Sequence, residues 1–158
     1  MSLDEVILVR ILEALKEVKL EAILVGNAAC ALQGVPVMTQ DIDFFIRDTP
    51  LNRKKIARFA KYLNLFSLKP DDVLSETIRT LNKKMIVDFV FRLGSRQTFE
   101  RVRAKSSKIK IGKYYCIVAS LEDVLQAKKE ANRVKDRAVL KLIEDTIRVK
   151  KALKNKKQ

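Results

Sequence analysis

The sequence predicts an α/β fold (α+β in its paired hairpins): a mixed β-sheet flanked by helices, with further helices at the C-terminal end. Three observations predict it. Apolar runs of strand length, such as Ala22-Ile23-Leu24-Val25 and Met85-Ile86-Val87-Asp88-Phe89-Val90-Phe91, alternate with longer segments whose apolar residues recur at helical spacing. Two pairs of strand-like runs are joined by turn residues, Asn82-Lys83-Lys84 and Gly112-Lys113. Helix-start signals stand at Thr49-Pro50 and at Ser120, three residues before Asp123.

Taken in order, a first helix is expected from Asp4 to Lys19, with Val6, Ile7, Val9, Ile11, Leu12 and Leu15 forming a broad apolar side. Ala22–Val25 reads as a buried strand. Gly26 permits a sharp turn after it, and a short helix of small residues runs to about Gln33. Gly34-Val35-Pro36 breaks that helix, and the run Val37–Ile46 reads as a second strand ending near Arg47. Pro50 opens a helix to about Tyr62, and Lys69-Pro70-Asp71-Asp72 starts a short turn or helix. Thr77–Leu81 and Met85–Arg92 form a hairpin, and Gly94-Ser95 opens a short helix through Phe99 and Val102. Lys108–Ile111 and Tyr114–Val118 form a second hairpin. A capped helix then runs to about Asn132, and a last one from about Lys135 to Leu153. The whole chain, residues 1–158, is expected to be one domain with a basic tail over about 150–158.

Composition narrows the chemistry. The chain has no histidine, which excludes a Ser-His triad, a His general base and ordinary His-containing zinc sites. Cys30 and Cys116 lie in apolar surroundings without metal-ligand spacing and read as core thiols. Acid–base or metal chemistry therefore falls to carboxylates, which suit a hard cation such as Mg²⁺. No apolar stretch approaches the ~18–20 residues of a membrane span. The acidic start Met1-Ser2-Leu3-Asp4-Glu5 is unlike a signal peptide, so a cytoplasmic location is expected, with no membrane partner. The net charge of +14 is segregated: six basic residues and no acid lie between Arg101 and Val118, and five lysines and no acid between Lys150 and Gln158. Such segregation favours a polyanionic partner, though a solvated lysine-rich terminus has the same composition.

Asp41 and Asp43 are the most informative residues. With a side-chain period of two, both carboxylates leave one face of their strand, with Ile42 between them. At an effective dielectric of about 20, two such charges ~4 Å apart repel by roughly 4 kcal/mol. Water, a proton or a cation must offset that. The pair is either a solvated strand end or a cation site. Upstream, the Gly26 turn leads into a helix whose N-terminus offers free N–H groups and partial positive charge, a natural seat for phosphate. Downstream, Asp88 interrupts an apolar strand, and a buried carboxylate needs a partner or a metal.

The set Gly26-Asn27, Asp41-Ile42-Asp43 and Asp88 resembles the motifs of the nucleotidyltransferase superfamily, the DNA polymerase β-like fold. Gly34-Val35-Pro36-Val37-Met38-Thr39-Gln40-Asp41-Ile42-Asp43 is similar to its minimal branch, which includes abortive-infection toxins of toxin–antitoxin pairs and small antibiotic-modifying transferases. Ser120–Lys128 and Arg133–Asp136 resemble that branch's C-terminal helices, so the likeness runs from about residue 5 to 145. Asn27 stands where the family usually has Gly or Ser, and Val37 where Arg is frequent.

The resemblance implies an NTP- and Mg²⁺-dependent nucleotidyltransferase. Asp41, Asp43 and Asp88 would be its catalytic and metal-binding residues, holding one or two Mg²⁺. Asp88 would also accept the proton of the attacking hydroxyl. Gly26 and Asn27 would seat the triphosphate of ATP or another NTP. Thr39, placed on the strand face of Asp41 and Asp43, would orient a carboxylate or water, or would simply be a β-branched strand former. Lys128 would reach the phosphates, or would be a solvated lysine. Arg133 and Lys135 are further cations, and Asp136 a cap for the last helix. The acceptor would be a hydroxyl, on RNA or protein among the candidates. The other reading is a catalytically silent nucleotide- or nucleic-acid-binding protein of the same fold.

Overall fold

A computed structural model of the protein describes residues 4–68 and 76–156. The turn or helix expected at Lys69–Asp72 lies outside them. The elements run α1 (Glu5–Glu17), β1 (Ile23–Val25), α2 (Gly26–Leu32), β2 (Asp41–Phe45), α3 (Pro50–Tyr62), β3 (Phe66–Leu68), β4 (Thr77–Leu81), β5 (Ile86–Val90), α4 (Phe99–Lys105), β6 (Ser107–Ile111), β7 (Tyr114–Val118), α5 (Leu121–Ala131), a 3-10 turn at Val134–Asp136, and α6 (Arg137–Lys156). The described strands form one seven-stranded mixed sheet in the order β3-β4-β5-β2-β1-β7-β6. β2 runs parallel to β5 and antiparallel to β1, while β1 runs parallel to β7.

The start signals at Thr49 and Ser120 act as the sequence foretells, and Asp4, expected inside the first helix, proves to be its cap. Asp4 caps α1 by accepting from the N–H groups of Val6 and Ile7, and Thr49 caps α3 with Pro50 in its first turn. Ser120 Oγ accepts from Asp123 N, but Asp123 spends its own carboxylate on Lys105 Nζ, 3.0 Å away. Asn82 Oδ1 accepts from Lys84 N and Met85 N, which closes the β4–β5 turn.

One sheet face carries Phe44 and Phe89, stacked in register with centroids 6.1 Å apart. Phe59 of α3 meets Phe89 edge-on at 5.0 Å, so α3 covers this face, with α1 against it. α1 buries Leu8, Ile11, Leu12 and Leu15, but Val6, expected on its apolar side, is 71% exposed. The other face carries Asp41, Asp43 and Phe45, the last packed on Phe99 of α4 at 5.6 Å. Here α2 lies against β1 and β2, α5 against α2, and α6 against α5. Both cysteines are buried free thiols, and burial raises their pKa values to about 11 for Cys30 and about 12 for Cys116. Among the described residues no helix is long and apolar enough to cross a membrane.

Three boundaries differ from expectation. β2 begins only at Asp41, because its ladder runs out there: the last pairs are Val25↔Asp43 with β1, which then turns into α2, and Asp41↔Ile86 with β5. Thr39 is therefore outside the strand instead of sharing its face. The helix expected to open at Gly94-Ser95 begins at Phe99, capped by Thr98. β3 is an additional edge strand, three exposed residues paired only with β4.

Candidate active site

Strand register assembles a charged row. Asp43 is opposite Asp88 across the parallel β2–β5 pair, and Asp88 is opposite Arg79 across the antiparallel β5–β4 pair. Residues in register share a face, so Arg79, Asp88, Asp43 and, two positions along β2, Asp41 stand together. Arg79 grips Asp88 with a two-pronged fork, Nε to Oδ1 and Nη2 to Oδ2, both 2.9 Å. The same Nη2 donates to Asp41 Oδ2 at 3.1 Å. The Asp88 side chain is only 9% exposed, and the fork is the partner its burial requires.

Gly26 ties the phosphate-seat motif to this row. Its φ of +66° is left-handed backbone, which lets β1 pass into α2 with no intervening loop. A Cβ there would lie 2.6 Å from Asp43 Oδ2, so the bare Cα is what leaves room for the carboxylate. Gly26→Ala is expected to destabilise the fold by about 1–3 kcal/mol, since it combines left-handed strain with displacement of Asp43. A urea-denaturation midpoint equal to the parent's would count against that steric role. No side chain caps α2, and the next residue, Asn27, has a buried Oδ1 without a hydrogen-bond partner. Thr39 Oγ1 donates to Asp41 O at 2.6 Å and so steadies the backbone where β2 begins.

The C-terminal helices close the site. Asn27, Thr39, Asp41, Asp43, Lys128, Arg133 and Lys135 line one polar cleft of about 270 Å³. A smaller cavity of about 160 Å³, bounded by Gly26, Arg92, Leu93 and Ala127, also reaches Asp43. Lys128 is no solvated lysine. Its Nζ lies 3.1 Å from Asp136 Oδ1, with the two side chains 12% and 8% exposed. Asp136 stands immediately before α6, where a cap would, and its carboxylate serves Lys128.

Electrostatically the row is short of positive charge at Asp43. Burial first, then the charges of Asp88 and Asp41, raise its pKa from 3.8 to about 6, against smaller opposing effects of Lys128 and Arg79. A cation beside Asp41 and Asp43 would relieve this. Among the described residues no three acidic or thiol groups cluster closely enough to cage a metal by themselves. Mg²⁺ does not need such a cage: one or two carboxylates suffice when substrate phosphates and water complete its shell. The donor set fits that ion, for which Asp41 and Asp43 would be the oxygen ligands.

Asn27, Thr39, Asp41, Asp43 and Lys128 thus meet around one cleft, Gly26 borders the smaller cavity that also reaches Asp43, and Asp88 stands beside Asp43 in the sheet. Sequence reading missed Arg79. The signal was the hairpin register: a loop ending at Lys84 would pair Leu81 with Met85 and send Arg79 to the other face from Asp88. The actual pairing is Leu81↔Ile86 and Arg79↔Asp88.

Comparisons with known proteins agree with this architecture. The chain superposes on the antibiotic-resistance factor ANT(2'')-Ia with a TM-score of 0.63 at 14% identity, covering 97% of this chain and 91% of that one. ANT(2'')-Ia in complex with adenylyl-2''-tobramycin gives a TM-score of 0.63 at 14% identity over 98% of each chain. A candidate nucleotidyltransferase of Thermotoga maritima, TM1012, gives 0.57 at 20% identity over 85% of this chain and 88% of that one. At such identities the likeness concerns the fold, which is that of nucleotidyltransferases. No curated protein matches the sequence. The model of a family described as nucleotidyl transferase of unknown function, DUF2204, matches residues 5–158, and the chain belongs to that family.

Proposed function

We propose that the protein moves a nucleoside monophosphate from an NTP to a hydroxyl acceptor and releases pyrophosphate, with Mg²⁺ as cofactor. One observation carries this reading. The carboxylate of Asp43 lies over the bare Cα of Gly26, so the Asp41–Asp43 pair and the uncapped start of α2 open on the same cleft. Asp41 and Asp43 would hold Mg²⁺, which when bound neutralises triphosphate charge and the charge growing on the transferring phosphoryl group. The first turn of α2 and Asn27 would seat phosphate oxygens through N–H donors, the amide of Asn27 presenting its Nδ2 to them. Arg133 and Lys135 add positive charge to the cleft, and Lys128, held by Asp136, would direct its ammonium to the phosphates. The protein's work is orientation and charge placement, which suits a reaction that asks little covalent chemistry of its catalyst. The adenylylated product bound by ANT(2'')-Ia supports a nucleotide donor, ATP among the candidates. The acceptor class extends to small molecules, RNA and protein.

Incubation with α-labelled NTPs, Mg²⁺ and cell extract tests the reading: label is expected on an acceptor, dependent on Mg²⁺ and lost in EDTA. No transfer with any NTP, together with a melting temperature that Mg²⁺-NTP leaves unchanged, would overturn it. Binding without transfer would instead support a silent nucleotide-binding protein. That second reading is favoured by one observation, the closure of both Asp88 oxygens by Arg79.

Asn27 is testable separately. Asn27→Asp adds an anion beside the phosphates and should weaken Mg²⁺-NTP binding about tenfold or more, roughly 1.4 kcal/mol. Asn27→Ser should preserve or improve affinity. Equal dissociation constants by calorimetry for all three proteins would remove Asn27 from the site.

A further inference from the structure

We propose that Arg79 takes the place of a second divalent cation, so that the site loads one ion, at Asp41 and Asp43, with Asp88 held by the guanidinium. The inference rests on the functional reading above and deepens it.

A cation shared by two carboxylates must stand between an oxygen of each. Arg79 Nη2 stands there, 2.9 Å from Asp88 Oδ2 and 3.1 Å from Asp41 Oδ2, while Nε holds the remaining Asp88 oxygen at 2.9 Å. Both oxygens of Asp88 are thus engaged, and one oxygen of Asp41 with them.

Three features keep the guanidinium in place. Its Cα is opposite that of Asp88 in the ladder, so it arrives by strand register and needs no loop to fold over. The fork is bidentate, a geometry an arginine offers and a hydrated ion does not. Asp88 is nearly buried, so removing Arg79 would strand a carboxylate away from water. Mg²⁺ surrenders its water reluctantly and has little to gain by competing for such a group.

Charge points the same way. With Arg79 present, one divalent ion neutralises the three carboxylates, whereas two would leave an excess before any nucleotide arrives. The carboxylate of the row that Arg79 does not hydrogen-bond is Asp43, which leaves it and the second oxygen of Asp41 for the ion. Arg79 is therefore a positioning residue: it fixes Asp88 and orients Asp41 toward the single ion.

Mn²⁺ counting by electron paramagnetic resonance, with saturating α,β-methylene-ATP as an unreactive donor, decides it. The parent protein is expected to bind one Mn²⁺ per chain. Arg79→Gln, which keeps a polar stem without the charge, is expected to take up a second, weaker Mn²⁺. Arg79→Lys, which keeps the charge without the fork, should stay at one. Two ions in the parent would overturn the proposal while leaving the nucleotidyltransferase reading intact. A single ion in Arg79→Gln, folded by circular dichroism, would also overturn it, because Arg79 would then not be what excludes the second. If Arg79→Gln does not fold, the counts for the parent and Arg79→Lys decide. Neither Mn²⁺ nor nucleotide bound to the parent would instead sink the functional reading itself.

Discussion

Asp43→Asn is expected to make the metal-free protein more stable at pH 8 by about 1–3 kcal/mol, while cutting nucleotidyl transfer at least ~10³-fold. The two effects share a cause. In the fold, burial and the neighbouring carboxylates raise the Asp43 pKa from 3.8 to about 6. Between those values the native state holds a proton that the unfolded chain has released. Stability from this group is therefore full below about pH 4 and is lost as pH rises to about 6. Above that, the folded protein carries an ionised Asp43 at a cost that asparagine does not incur. The stability gap between mutant and parent, read from urea denaturation in EDTA, should be largest at pH 8 and shrink toward pH 4. Added Mg²⁺ and nucleotide should reverse the order, since a ligand that binds only the folded parent stabilises it by mass action. A mutant less stable than the parent at pH 8 without metal would make Asp43 a structural residue.

Asp136→Leu should destabilise the protein by about 3–5 kcal/mol, because it leaves the Lys128 ammonium buried without its partner. For a chain of this size that is roughly a 10–15 °C fall in melting temperature. Lys128→Met combined with Asp136→Leu should recover most of the loss, since two apolar side chains can fill a site that one unpaired charge cannot tolerate. The double variant should nonetheless bind Mg²⁺-NTP more weakly than the parent, because Lys128 also lines the cleft. Full recovery of both stability and nucleotide binding would confine Lys128 to a packing role. Additive losses would mean that the pair is not coupled.

What the sequence made legible was set by local periodicity. Asp41 and Asp43 share a face because strands alternate, and the starts of α3 and α5 follow from capping residues at Thr49 and Ser120. The meeting of these aspartates with Gly26 came through motif resemblance, which compresses long-range information. Features that depend on where a ladder stops were hidden. Val37–Gln40 has strand-like composition but lies beyond the last β1 and β5 partners of β2. Phe66–Leu68 is three exposed residues with no buried face to impose alternation, and only its pairing with β4 makes it a strand. Arg79 was hidden by a single residue of register in its hairpin. Asp123 was readable as a cap partner, but its pairing with Lys105 required α4 and α5 to be placed side by side.

The hairpin that joins Arg79 to Asp88 also bears on how the chain folds. These residues are separated by nine positions, whereas Arg79 and Asp41 are separated by 38. Closing the short loop costs less chain entropy than bringing β2 alongside β5, so the arginine–aspartate unit is expected to assemble first. When β2 docks, its two carboxylates then meet a neighbour already neutralised, instead of a third bare anion. An encounter of three bare carboxylates is thereby kept out of the later step of sheet assembly.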